Sequence, residues 1–420
     1  MEPLIHREEK TPGYRISLWE VMLLTGLVTA LTLAAARLYP TWDDGRLMFL
    51  IRQSGSRAIW TNLGNRPLVA LFLTFLLNHQ LILPVGIILH WLSWLGMGLV
   101  TMFFWRLMFP AYSRFALLPA LLSVAPILCK VQLVILTIVI IDVFGPVLSF
   151  LAIFMLLSEQ PSPWRKIIVY AAGLLLIAFS ILISEYGVAT AAVGFILLSA
   201  KAIRGRTERK RERQVRAALI AACTLVSYLV FLWLSRTAGR AAFRPGYILQ
   251  SPSWRTKGIP FRLLSGIWRG AMGGVLESLG SVTLNSKAAL LSFVCGAVFS
   301  GLVVLGIYKR EAVESTLKQD RFSVITLLAA LVVALMPVLL MDRTLDSKWD
   351  SRFWLPVLPV LSSLSVFTLF YVLRTRLWVL VLVVCGFLAG YWTTSEIASA
   401  FRDREPVIVW TQEIESRIPD

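Results

Sequence analysis

Asp43, Asp44, Asp142 and Glu185 are carboxylates that stand within or beside long apolar runs. Asp43 and Asp44 follow the first apolar run directly, whereas Asp142 and Glu185 each interrupt a long apolar stretch. A charged side chain at membrane depth costs about 2.5–3.5 kcal/mol on insertion scales, and such residues tend to mark function. Asp142 and Glu185 are therefore candidates for chemistry, while the alternative is that outer turns are simply polar.

The adjacent pair suits acid–base chemistry. One carboxylate can accept a proton from an attacking hydroxyl as a general base. The other can position the acceptor or help to hold a divalent cation through its oxygens. Asp43 and Asp44 could equally form a turn or cap a helix, since Asp favours both.

The elements that must position these side chains are membrane helices. Of the 420 residues, 57% are hydrophobic and only 15% are charged, with a mean hydropathy of +0.74. A soluble domain carries more charge. Because backbone groups in lipid must be satisfied within the spanning segment, we predict an all-α polytopic membrane protein with a single membrane domain over residues 1–420.

Runs of about 20 apolar residues are long enough to cross a bilayer. On that basis we predict about eleven transmembrane helices, near residues 18–38, 84–105, 114–129, 143–158, 166–183, 187–203, 217–235, 288–308, 322–341, 354–373 and 377–395. The first and fourth outer loops, 39–83 and 236–287, contain the semi-apolar stretches Gly45–Trp60 and Phe261–Leu279. We expect these stretches to form interfacial helices.

The positions of the basic residues predict the orientation. A cytoplasmic N-terminal tail, residues 1–16, places Arg106, Arg165, Lys166 and the basic run Lys201–Arg216 in the cytoplasm, as short loops favour. The C-terminal tail, 396–420, then lies outside, and we predict a multi-pass protein of the cytoplasmic (inner) membrane. The net charge of +17 indicates anionic lipid and phosphate ligands rather than nucleic acid, because no basic stretch carries stacking aromatics.

Short motifs follow one another along the chain in a fixed order. They are Trp42-Asp43-Asp44-Gly45-Arg46, Asn65-Arg66-Pro67-Leu68, Pro84-Val85-Gly86 with His90-Trp91-Leu92, Ile183-Ser184-Glu185-Tyr186-Gly187, and Asp350-Ser351-Arg352-Phe353-Trp354-Leu355-Pro356. In type and order they resemble the C-type glycosyltransferase superfamily of membrane enzymes. Ser184 stands where that superfamily's turn carries a lysine.

The resemblance implies transfer of a sugar, with inversion, from a polyprenyl-phosphate donor to a hydroxyl acceptor at the outer membrane face. The acceptor would be a lipid, a polysaccharide or a protein. Asp43 would be the catalytic base, and Asp44 would hold the acceptor or a cation. The remaining residues expected to bind substrate are Arg66, His90, Asp142, Glu185, Asp350 and Arg352.

No metal ligand and no cofactor is assigned, and a divalent cation is left open. The three histidines and four cysteines are scattered, so their spacing indicates neither a metal cluster nor a disulfide framework. Two other functions remain open. One is transport or flipping of a lipid-linked saccharide, for which inverted repeats would be expected and none is evident. The other is a non-catalytic membrane scaffold, which would tolerate replacement of the acidic pair.

Overall fold

The computed structural model describes residues 17–39, 42–63, 66–126, 139–158, 162–184, 186–204, 207–238, 286–308, 320–340, 355–372 and 378–417. Over these residues the fold is helical. Fourteen α-helices lie in the described part of the chain: α1 Leu18–Leu38, α2 Trp42–Ser54, α3 Ser56–Leu63, α4 Pro67–Asn78, α5 Ile82–Met108, α6 Leu117–Val124, α7 Gly145–Leu157, α8 Pro163–Ile183, α9 Tyr186–Arg204, α10 Thr207–Ala238, α11 Ser286–Tyr308, α12 Asp320–Leu340, α13 Leu358–Val372 and α14 Trp378–Arg417. A 3₁₀-helix, Pro110–Phe115, precedes α6, and a π-helix, Val139–Phe144, precedes α7.

Six helices in these ranges are long and apolar enough to cross a membrane, so the chain has the architecture of a multi-pass membrane protein. The six apolar spans are Leu18–Leu38, Ile82–Met108, Pro163–Ile183, Lys210–Thr237, Lys287–Gly306 and Val379–Phe401. Each of the eleven predicted segments overlaps a helix, but five of them fall on helices whose described apolar parts are only 10–17 residues long. The all-helical class is thus confirmed, and the count of eleven spanning helices stays a prediction.

Two contacts between side chains show that α1 and α5 run antiparallel. Near the start of α1, Glu20 forms an ion pair with Arg106 near the end of α5, with 3.1 Å between Glu20 Oε2 and Arg106 Nη2. Farther along α1, Thr32 Oγ1 lies 2.8 Å from His90 Nδ1. The bundle therefore has a "Glu20 end", which holds the start of α1 and the end of α5, and an opposite end.

Helix α7 runs parallel to α5. Val147 packs so closely on Gly96 that a Cβ at Gly96 would come within 2.8 Å of it. Farther along both helices, the rings of Phe150 and Phe104 meet edge to face with centroids 6.0 Å apart. The π-helix that precedes α7 therefore lies opposite the Glu20 end, and we call this side of the bundle the "Asp142 end".

The loop predicted over 39–83 is built of three helices, α2, α3 and α4. Gly55 separates α2 from α3 with a left-handed φ of 59°, and Gln80 separates α4 from α5 with a φ of 55°. The predicted stretch Gly45–Trp60 is helical, within α2 and α3. That these helices lie at the membrane interface stays a prediction, and Phe261–Leu279 lies outside the described residues.

Helices α11 and α14 make the most extensive helix pair among the described elements. Gly386 and Gly390, one turn apart on α14, face Ser300 and Gly296 of α11 so closely that a Cβ at either glycine would meet backbone atoms within 3 Å. Small residues at this spacing let membrane helices approach each other. The outer face of α11 is apolar and exposed, with Leu290 65% exposed, which suits contact with lipid.

Candidate functional site

Asp142 is buried in an unusual backbone element. It lies in the π-helix Val139–Phe144, and only 4% of its surface is exposed. Short π-helical segments are rare and are often found at functional sites. The π-helix runs directly into α7, which carries Pro146 in its first turn.

Two buried serines fasten this segment to the turn between α8 and α9. Ser180 of α8 donates a hydrogen bond through Oγ to the carbonyl of Gly145, at 2.7 Å. Ser149 of α7 in turn donates to Ser180 Oγ, at 2.8 Å. Both serines are fully buried. These bonds tie the N-terminus of α7 to the C-terminal turn of α8.

The absence of a side chain at two glycines allows the close approach. A Cβ at Gly187 would lie 2.6 Å from Ser180 Oγ and 2.9 Å from the backbone of Ile181. A Cβ at Gly145 would meet the Cβ of Ser184 at 3.5 Å. Glu185 itself lies outside the described residues, but its buried neighbours Ser184 and Tyr186 are placed within this contact region.

The structure thereby brings together two predicted acid-bearing turns that are about forty residues apart in sequence. Asp142 stands three residues before Gly145, and Glu185 follows Ser184 directly. The contact between the two segments is fixed by their backbones and by the hydroxyls of Ser149 and Ser180.

His90 lies fully buried on α5, with its Nδ1 2.8 Å from the hydroxyl of Thr32, which is 4% exposed. Beside His90, the indole of Trp91 donates to Thr29 Oγ1, one turn from Thr32 on α1, at 3.0 Å. These bonds position the imidazole between α1 and α5. Since a neutral imidazole keeps one donor and one acceptor nitrogen, it can relay a hydrogen bond across the bundle.

His90 and Asp142 stand at similar heights in the bundle. Val147 packs on Gly96, and α5 and α7 run in the same direction. His90 is six residues before Gly96, and Asp142 is five residues before Val147. At about 1.5 Å per residue the two lie roughly 9 and 7 Å from that contact, on the same side of it. The π-helix also packs directly on α5.

The acidic pair begins α2 at this same end. Asp43 and Asp44 are the second and third residues of the helix, and their side chains are outside the described part of the structure. The following turns of α2 line a small apolar pocket. Its walls comprise Tyr39, Leu47, Met48, Ile51, Ile59, Leu73 and Ile82, from α2, α3, α4 and the adjoining ends of α1 and α5.

The remaining predicted residues are placed less completely. Arg66 is half-buried at the N-cap of α4, where its backbone N–H donates to the carbonyl of Leu63 at 2.8 Å. Asp350 and Arg352 lie outside the described residues, and the chain resumes just after them with the buried side chain of Leu355.

Sequence reasoning missed Thr32, Ser149 and Ser180. Each is a hydroxyl residue inside an otherwise apolar run. A hydroxyl buried in lipid-embedded helices needs a hydrogen-bond partner. A hydroxyl residue within an apolar run therefore indicates a buried hydrogen bond, but the sequence does not identify the group at its other end.

Among the described residues, no three His, Cys, Asp or Glu side chains come together in a way that would hold a metal ion. Comparison of the chain with protein-family models, with curated proteins and with solved structures finds no match.

Proposed function

We propose that this protein is a membrane glycosyltransferase that moves a sugar from a polyprenyl-phosphate donor to a hydroxyl acceptor, with inversion, at the outer face of the cytoplasmic membrane. One observation supports this most. The start of α2, the Asp142 π-helix and the turn from Ser184 to Tyr186 share one end of the bundle. Acid-bearing segments at one end of an apolar helix bundle suit a donor that is half sugar phosphate and half lipid.

In the proposed reaction Asp43 takes the proton of the acceptor hydroxyl. The acceptor oxygen then forms a bond to the anomeric carbon from the side opposite the phosphate. The bond between that carbon and the phosphate oxygen breaks, and polyprenyl phosphate leaves with the electron pair. Asp44 holds the acceptor, or a divalent cation that holds it.

The transition state carries positive charge on the sugar ring and growing negative charge on the phosphate. Asp142 and Glu185 are proposed to face the ring, because a carboxylate stabilises oxocarbenium character. Arg66 and Arg352 are proposed to bind the phosphate, since a guanidinium can hold two of its oxygens. Asp350 is assigned to the same substrate site.

His90 is proposed to bind the substrate from the wall of the bundle. Its hydrogen bond with Thr32 fixes the ring between α1 and α5.

The test is Asp43→Asn, assayed in membranes with polyprenyl-phosphate-linked hexoses and pentoses as donors and a cell-envelope fraction as acceptor. Loss of a general base typically lowers a rate by 10²–10⁴-fold, and we expect a loss in that range. Asp320→Asn is the matched control, because Asp320 also stands in the first turn of a helix, α12, and plays no part in the proposed chemistry.

Wild type and Asp320→Asn should release polyprenyl phosphate and label the acceptor fraction, whereas Asp43→Asn should do both more slowly by that factor. Undiminished transfer by a folded Asp43→Asn protein would exclude Asp43 as the base. Movement of the intact donor across vesicles without release of polyprenyl phosphate would instead identify a flippase.

A further inference from the structure

A group of basic and aromatic side chains lies at the Glu20 end, away from the candidate site. Trp164, Arg165 and Lys166 form the first turn of α8, and Lys210 and Arg211 lie near the start of α10. We call these five residues the basic patch. All except Lys166, which is half-buried, are exposed, and Trp164 is 75% exposed.

Glu212 holds the two helix ends together. Its Oε1 accepts from Lys166 Nζ at 3.5 Å, from Tyr170 Oη at 3.4 Å and from Arg216 Nη2 at 2.6 Å. The guanidinium of Arg216 also stacks over the Tyr170 ring, 4.4 Å from its centroid. The patch is therefore a fixed arrangement across α8 and α10.

Arg216 has a structural task of its own. It is buried, and its Nη1 donates to the carbonyl of Leu156 at 2.9 Å, at the C-terminus of α7. This bond places the patch at the same end of the bundle as the end of α7. Within the described ranges, no carboxylate forms an ion pair with Arg165, Lys210 or Arg211.

The patch stands where a membrane surface would be. Between Arg216 and Arg236, α10 carries no charge over residues 217–235. These 19 residues span about 28 Å, close to the roughly 30 Å of a hydrocarbon core. Next to Trp164, Ile167 and Ile168 are 59% and 64% exposed, so the patch borders an apolar surface.

We infer that the basic patch binds the phosphate headgroups of anionic phospholipids in the adjoining leaflet. Arg165, Lys210 and Arg211 supply positive charge, and the Trp164 indole lies at the height where tryptophans favour the interface. The acyl chains would cover Ile167 and Ile168. A soluble polyanion would use the same cations but would leave this neighbouring apolar surface uncovered.

The test uses the full chain in detergent, titrated with phosphatidylglycerol or phosphatidylcholine, with bound lipid counted by native mass spectrometry. Each basic residue near an anionic surface contributes a factor of about fivefold. We expect Lys210→Gln with Arg211→Gln to weaken phosphatidylglycerol binding about 25-fold. Arg165→Gln alone, an exposed change on the other helix, should weaken it about fivefold.

The matched control is Arg52→Gln with Arg57→Gln, which removes the same charge from exposed positions of α2 and α3 at the Asp142 end. The control should bind phosphatidylglycerol as the wild type does, and added salt should weaken wild-type binding. Equal binding of the two lipids, or equal losses in the control and patch variants, would overturn the inference. So would a short RNA oligonucleotide that binds the patch more tightly than phosphatidylglycerol.

This measurement does not depend on sugar transfer. Trp164 and its basic neighbours lie at the Glu20 end, whereas the proposed active site lies at the Asp142 end. Loss of lipid binding with transfer intact, and loss of transfer with lipid binding intact, are therefore separable results.

Discussion

Replacing Arg106 by methionine would remove the guanidinium that faces the Glu20 carboxylate between α1 and α5. The two side chains are 4% and 1% exposed, and their charged atoms are 3.1 Å apart. Glu20 also closes the N-terminus of α1, because its Oε2 accepts from the backbone N–H of Ser17 at 2.8 Å. Arg106→Met therefore removes the ion pair while it preserves the cap.

The expected loss follows from this geometry. At an effective dielectric constant of about 20, opposite charges 3.1 Å apart attract by about 5 kcal/mol. Removing one partner of a buried pair typically costs about 3–5 kcal/mol. Because Glu20 keeps its hydrogen bond from Ser17, we expect Arg106→Met to lower the free energy of unfolding by about 3 kcal/mol.

The double variant Glu20→Gln with Arg106→Met should recover most of that loss. Glutamine serves the capping box as glutamate does, so Ser17 keeps its partner. The buried charge disappears, and methionine fills part of the volume of the arginine stem. What remains lost is the hydrogen bond from Arg106 Nε to the Ser113 carbonyl, at 3.3 Å, worth about 1 kcal/mol.

The assay is reversible unfolding of purified protein by SDS in mixed micelles, followed by far-ultraviolet circular dichroism. Glu20→Gln alone completes the double-mutant cycle and measures the coupling between the two residues. The reasoning is refuted if Arg106→Met unfolds at the same SDS fraction as wild type. It is also refuted if the double variant is as unstable as Arg106→Met, since relief of a buried charge would then play no role.

Two further changes test the packing and the backbone with the same unfolding assay. Gly390→Ala should lower the free energy of unfolding by about 1–3 kcal/mol, because its Cβ would come within 2.9 Å of the Cys295 carbonyl oxygen. Gly301→Ala on α11 is the control and should cause no loss, since nothing lies within 4 Å of its Cβ. Gln80→Gly should raise the free energy of unfolding by about 1 kcal/mol, because glycine adopts a φ of 55° without a steric penalty. Gln80→Ala keeps the Cβ and should give no gain, and an equal gain from both would contradict this reasoning.

Much of the helical layout could be predicted from the sequence, because the length of an apolar run reports how much chain lipid can accept. The segment predicted at 18–38 is the helix Leu18–Leu38, and the one at 166–183 lies within Pro163–Ile183. Helix α10 begins at Thr207, ten residues before its predicted start. Hydropathy does not register that basic and acidic residues are good helix formers.

The candidate site could be predicted only in part. The positions of Asp142 and Glu185 within apolar stretches marked two turns as unusual, but hydropathy gives no direction in space. That the two turns meet was decided by Ser180, whose hydroxyl reaches the Gly145 carbonyl. It was also decided by Gly187, where any Cβ would collide with α8.

The sequence by itself determined that this protein is a bundle of apolar helices with its few charges at particular positions. It determined this because burying a charge or a free backbone group in lipid is costly enough to be visible in composition. Only the tertiary structure decided which positions face one another: Glu20 with Arg106, Thr32 with His90, and the Asp142 π-helix with the turn after α8. Such pairings depend on the rotation and height of each helix, which are set by close contacts between side chains rather than by hydrophobicity.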